Sequence, residues 1–151
     1  MSLVVIKETR RKDTILLVED DRELREYMQR FLEDLGYRVA LATDEADSLR
    51  LVDADHTQIQ LILLNQRMVS DDALAAGRRI REYVNVPNPI PVVVLPFEFT
   101  KALEGTDQNM GDGYYKSYMT TEQQLEDLLA GLLRDRLESS AFRVISSTSV
   151  Q

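Results

Sequence analysis

The hydrophobic positions fall into short runs separated by longer periodic stretches. Ile15 to Val18, Leu61 to Leu64 and Val92 to Leu95 are continuous apolar runs. A strand with one wet face would alternate; these do not, so they read as strands buried on both faces, as in a parallel sheet. Tyr37 to Ala42 and Tyr114 to Tyr118 read as two further strands, the second rich in aromatic residues. Between the runs the period changes. Leu24, Met28, Phe31, Leu32 and Leu35 recur at helical spacing, which predicts a helix from about Arg22 to Leu35 with Gly36 as its stop. Thr43 or Asp44 caps a short second helix to about Val52, with Ala46, Leu49 and Val52 inward, and a third runs from Ala73 to Tyr83. A fourth is expected between Glu98 and Met110, on a weaker pattern, before the turn-rich Asp107 to Gly113. Thr120-Thr121-Glu122-Gln123 has capping-box spacing and opens a last helix to about Glu138, with Leu125, Leu128, Leu129, Leu132 and Leu133 as its apolar stripe.

Strand and helix therefore alternate five times along the 151 residues. Right-handed crossovers turn that alternation into an α/β fold: a doubly wound, five-stranded parallel sheet in three layers. One domain over 14–138 accounts for the periodic stretch. Residues 1–13 form a mixed arm with a small basic cluster, and 139–151 a Ser/Thr-rich tail, weakly strand-like at Phe142 to Ile145.

Composition narrows the function. The net charge of -8 argues against nucleic-acid backbone binding. No cysteine is present, and the single His56, in a polar loop, cannot build a His-rich metal site. No apolar run approaches the ~20 residues of a membrane span, and Leu3 to Ile6 is too short for a signal peptide, so a cytoplasmic location without membrane contact is expected. No Gly-rich loop follows the first strand, which disfavours a dinucleotide site. Arg78, Arg79 and Arg81 are expected on a solvated helix face.

The candidate chemistry lies where the first strand empties into Glu19, Asp20 and Asp21. Sites in open α/β sheets sit at that carboxyl edge. Asp21 is better placed to cap the following helix than to act as a ligand. The run Ile-Leu-Leu-Val-Glu-Asp-Asp at 15–21 resembles the opening of a response-regulator receiver domain. So do Leu-Ile-Leu-Leu-Asn at 61–65 with Arg67-Met68, Ile-Pro-Val-Val-Val-Leu-Pro at 90–96, and Gly-Asp-Gly-Tyr at 111–114. The resemblance spans 14 to about 135. It implies the flavodoxin-like strand order 2-1-3-4-5 and a phosphoryl-accepting aspartate after the third strand. It also implies an acidic pair for Mg²⁺, a Thr or Ser after the fourth strand, and a Lys after the fifth.

Against that pattern the acidic pair is kept, as Glu19 and Asp20, and the rest is lost. Asn65 stands at the phosphoacceptor position, Pro96 at the hydroxyl position and Ser117 at the lysine position. In an alternative register Tyr118 takes the lysine position, and Lys116 should point the other way. Tyr114 is the candidate switch aromatic, or Tyr115 in the other register. An amide is a poor nucleophile, so the resemblance implies an atypical, pseudo-receiver module. No cofactor, or only weakly held Mg²⁺ at Glu19 and Asp20, is expected. Such a module is no enzyme. It would work by contacting a histidine kinase or an output protein through the fourth helix, fifth strand and last helix, or by forming a homodimer. Two alternatives remain open: phosphorylation on Asp71 or Asp72, and a small Mg-dependent hydrolase or phosphotransferase using Asp20. A small-ligand sensor using the emptied pocket is a weaker third.

Overall fold

The computed structural model describes residues 13–55, 58–65, 70–84, 89–97 and 99–134. In chain order the elements are β1 (Thr14–Val18), α1 (Arg22–Asp34), β2 (Arg38–Ala42), α2 (Glu45–Asp55), β3 (Leu61–Leu64), α3 (Ser70–Val84) and β4 (Val92–Val94). A short 3-10 turn (Lys101–Leu103), β5 (Asp107–Gly111) and β6 (Tyr114–Ser117) follow, and a last helix, α4, covers 122–134. The arm through residue 12, His56, the loop 66–69, the connector 85–88 and the tail lie outside the described residues.

The sheet order is β2-β1-β3-β4-β6-β5. The first five places pair in parallel, as expected, with β6 in the role of the fifth strand. All residues of β1, β3 and β4 are buried, because helices cover both faces. Ile15, Leu17, Leu61, Leu63 and Val93 pack with Met28 and Leu32 of α1 and with Leu125, Leu129 and Leu133 of α4. Leu16, Val18, Ile62, Leu64, Val92 and Val94 form the second cluster, with Ala73 and Ile80 of α3. Each such Leu or Ile contributes on the order of 1.5–3 kcal/mol by leaving water. Gly77 lets α3 approach closely: a Cβ there would lie 2.6 Å from Val92 Cγ1 and 2.9 Å from Leu64 Cδ1.

Local signals set the helix ends. Asp21 accepts from the Leu24 N–H at 3.0 Å and caps α1. At the other end the Gly36 N–H donates to Glu33 O and the Tyr37 N–H to Leu32 O, with Gly36 at φ 101°. Asp44 accepts from the Asp47 N–H at 2.8 Å, which makes Asp44 rather than Thr43 the cap of α2.

The expected fourth helix between Glu98 and Met110 is not formed. Glu98 is outside the described residues; Phe99 to Met110 contains one 3-10 turn and then most of β5, which runs antiparallel to β6 as a sixth strand on the sheet edge. The reason is local. Gly105 takes φ 77° and ends the turn, and Asp112 and Gly113, at φ 55° and 83°, make a two-residue hairpin turn between the paired Gly111 and Tyr114. Left-handed residues this close together leave no room for three helical turns.

Candidate functional site

The register of the parallel ladder builds the site. Val18, Leu64, Val94 and Lys116 are neighbours across β1, β3, β4 and β6. One residue further on, Glu19, Asn65, Leu95 and Ser117 therefore stand in a row at the carboxyl edge. The ladder extends into it: the Glu19 N–H donates to Ala42 O, the Asn65 N–H to Val18 O and the Leu95 N–H to Leu64 O, at 3.0, 3.0 and 2.8 Å.

Glu19 is buried, and its Oε1 accepts from the Asp21 N–H at 3.2 Å. Asp20 is exposed and Asn65 half-buried. Arg25, one turn into α1, donates from Nη1 to the Glu19 carbonyl at 3.0 Å, so a guanidinium stands at this edge. Pro96 is half-buried, one residue beyond Leu95. Ser117 is buried, and its hydroxyl donates to Asp107 Oδ1 of the edge strand at 2.6 Å. Gln124 of α4 donates to the same oxygen at 2.8 Å and to Thr106 O at 3.3 Å. Position 117 thus serves to fasten the hairpin. Lys116, beside it, is buried on the opposite face of β6.

Tyr114 lies at the other end of β6, half-buried, against the second core cluster. The guanidinium carbon of Arg81 is 4.0 Å from its ring centroid and that of Arg78 5.8 Å. The expected solvated arginine face holds for Arg78 and Arg79, which are exposed, and needs correction for the half-buried Arg81. Arg81 Nη1 donates to Asp112 O at 2.6 Å and Ile90 O at 3.3 Å, tying α3 to the hairpin turn. Arg79 makes a two-pronged bond to Glu45 at 2.6 and 2.7 Å. Those bonds hold the Glu45 carboxyl below its ordinary pKa, against the smaller opposing effect of burial. Asp71 and Asp72 fall in the first turn of α3 rather than in a loop, and Asp72 is exposed.

The fold thus gathers Glu19, Asn65 and Ser117 into one row with Asp20 beside it, and leaves Tyr114 apart. The sequence reading missed Arg25, Asp107, Gln124 and the turn-binding role of Arg81. For Arg81 no sequence signal exists. The Asp112-Gly113 pair that it braces is a hairpin signal. Among the described residues, no group of three His, Cys, Asp or Glu side chains comes together to hold a metal. None of their helices is long and apolar enough to cross a membrane.

The doubly wound sheet with Glu19 and Asp20 after its first strand is the arrangement expected of a receiver. The family model of the response regulator receiver domain matches residues 15–114, well over half of the chain, and the chain belongs to that family. It is a receiver module of two-component signal transduction. Response regulator MprA of Mycobacterium ulcerans is 30% identical over 126 residues, covering 82% of this chain and 52% of that protein. The chain spans about half the length of the curated relatives it matches. The Vibrio cholerae chemotaxis protein CheY4 superposes with TM-score 0.60 at 19% identity, covering 81% of this chain and 99% of that one. The receiver domain of a Pseudomonas aeruginosa sensor histidine kinase, with magnesium coordinated in its active-site cleft, gives 0.57 at 26% identity, covering 81% and 98%.

Proposed function

We propose that this receiver signals without being phosphorylated at position 65, through contact with a partner protein. Asn65, next to Glu19 in the row at the carboxyl edge, carries the reading. Phosphoryl transfer to a receiver needs an anionic oxygen to attack phosphorus; a carboxamide matches a carboxylate in shape and offers none. Two further features support it. The Ser117 hydroxyl is spent on Asp107 at 2.6 Å, and it brings no positive charge to the row. Pro96 has neither a hydroxyl nor an N–H.

Glu19 and Asp20 are the residues that would hold Mg²⁺, as a receiver of similar fold does in its cleft. Bound there, the cation would offset negative charge on the phosphoryl oxygens. Two carboxylates and an amide are a thinner donor set than three carboxylates, and Mg²⁺ needs anionic ligands to give up its water. Weak binding follows. Asp71 and Asp72 start a helix beyond the row, which forfeits the positioning that this chemistry depends on. The partner is a histidine kinase or an output protein, or a second copy of the chain. It meets β6 and α4, with the hairpin in place of the expected fourth helix, and the working unit is the domain over 14–138.

Intact-mass measurement after incubation with acetyl phosphate and Mg²⁺ tests the proposal. The wild-type chain gains no phosphoryl group, whereas Asn65→Asp gains one slowly as its carboxylate displaces acetate. A phosphoryl group on the wild-type chain, at Asp71, Asp72 or elsewhere, overturns it.

A further inference from the structure

The turn between β5 and β6 carries the chain's single Asp-Gly step, Asp112-Gly113. Asp112 takes φ 55° and is exposed. The carbonyl of the peptide joining the two residues accepts from Arg81 Nη1 at 2.6 Å. The Gly113 carbonyl accepts from the Val92 N–H at 2.9 Å. Neither the Gly113 N–H nor the Asp112 carboxylate takes part in a hydrogen bond or ion pair among the described residues. A carboxyl carbon and the nitrogen that can close a five-membered ring with it are thus adjacent and unengaged. Gly113 has no Cβ to shield that nitrogen. An amide nitrogen attacks well only once it has lost its proton, and the charge left behind is shared with the carbonyl oxygen. A guanidinium bonded to that oxygen stabilises the charge where it develops. Arg81 is half-buried and already in place, held by Ile90 O at 3.3 Å and with its guanidinium carbon 4.0 Å from the Tyr114 ring centroid.

We propose that Asp112 is a site of self-modification: its side chain closes on the Gly113 nitrogen to a succinimide, promoted by Arg81, and reopens as isoaspartate. In the first step the Gly113 nitrogen bonds to Asp112 Cγ. One carboxylate oxygen leaves as water, taking the amide proton and a proton from solvent. In the second step water adds to the ring carbonyl that came from the backbone, and the bond from that carbonyl to nitrogen breaks. Arg81 polarises this same carbonyl, which directs the water to it. The former backbone carbonyl becomes a carboxylate and the chain runs through Asp112 Cβ. One water leaves and one enters, so the mass is unchanged. The added backbone methylene lengthens a two-residue turn that has no slack. The hairpin flanks the partner surface on β6 and α4, so conversion alters that surface first.

The full chain is aged at neutral pH and body temperature, and samples are digested with trypsin. The peptide Ala102–Lys116 contains the step. A second form of this peptide, of unchanged mass and different retention, accumulates with time, and electron-transfer fragmentation places isoaspartate at Asp112 and not at Asp107. Arg81→Gln slows the conversion about tenfold, less than the loss of a donor in a closed active site. Arg81→Lys keeps the charge and stays nearer to wild type. A turn loosened by either substitution would let the side chain reach the nitrogen more freely, so slowing cannot come from lost structure. Absence of isoaspartate in the aged chain, isoaspartate at Asp107 instead, or an Arg81→Gln chain that converts as fast as wild type or faster overturns the proposal. So does an Arg81→Lys chain no faster than Arg81→Gln. No arm of the experiment depends on position 65, so it is decided separately from the labelling test.

Discussion

Every residue of β1, β3 and β4 is buried, whereas in β5 only Gln108 is even half-buried. The two regions belong to one sheet but are held by different forces. The centre is held by packing against helices on both faces, which no single contact dominates. The hairpin flank is held by a few directed contacts: a left-handed turn at Asp112 and Gly113, the Arg81 bonds beneath it, and Asp107 between Ser117 and Gln124. A region of the first kind unfolds with the whole domain. One of the second kind opens locally, at lower cost. The receiver plan survives in the packed centre, and the chain departs from it on the flank.

The contrast can be broken by mutation. Leu63→Ala removes a side chain that is 0% exposed in the middle of β3. It costs about 3 kcal/mol, a large part of the ~5–15 kcal/mol total for a domain, and lowers the urea midpoint for all elements together. A loss below ~1 kcal/mol would mean that the centre is not the cooperative core. Gly113→Ala comes next, at about 1–2 kcal/mol. Its φ is 83°, and the new Cβ would lie 3.1 Å from Arg81 Nη1. Hydrogen exchange should accelerate in β5 and β6 and stay unchanged in β1; equal acceleration everywhere would dissolve the distinction.

Ser117→Ala has a smaller effect, about 1 kcal/mol, since Asp107 keeps its bond from Gln124. The loss is again read in the exchange rates of β5. The smallest effect belongs to the Glu45–Arg79 pair joining α2 to α3, whose side chains are 30% and 57% exposed, so solvent and salt screen it. The folded pKa of Glu45 is lowered, first by its hydrogen bonds to Arg79. The stabilisation is therefore complete above the unfolded carboxylate value and lost as pH falls through the lowered folded value. Glu45→Gln should melt slightly lower than wild type at neutral pH and no lower in acid. A difference that persists in acid would assign the effect to packing.

The centre was legible because a continuous apolar run such as Leu61 to Leu64 can be satisfied only by burial on both faces. The caps at Asp21 and Gly36 were legible because each acts within a few residues of itself. The flank was misread because Lys101-Ala102-Leu103 has helical propensity, while the deciding signal, Asp112-Gly113, lies beyond the stretch it governs. Asn65 was read at the end of its strand from the run before it. What its neighbours would be could not be read in the same way.

The sequence by itself determined the alternation of elements, the acidic pair at the end of the first strand and the amide at position 65, because each depends on side-chain identity and on local period. Only the tertiary structure decided that Ser117 faces Asp107, that Arg81 grips the hairpin turn, and that Arg78 and Tyr114 border one groove. Each of those facts joins residues ten or more positions apart, and their meeting is set by how α3 packs on the sheet and by which way the β5–β6 hairpin folds back.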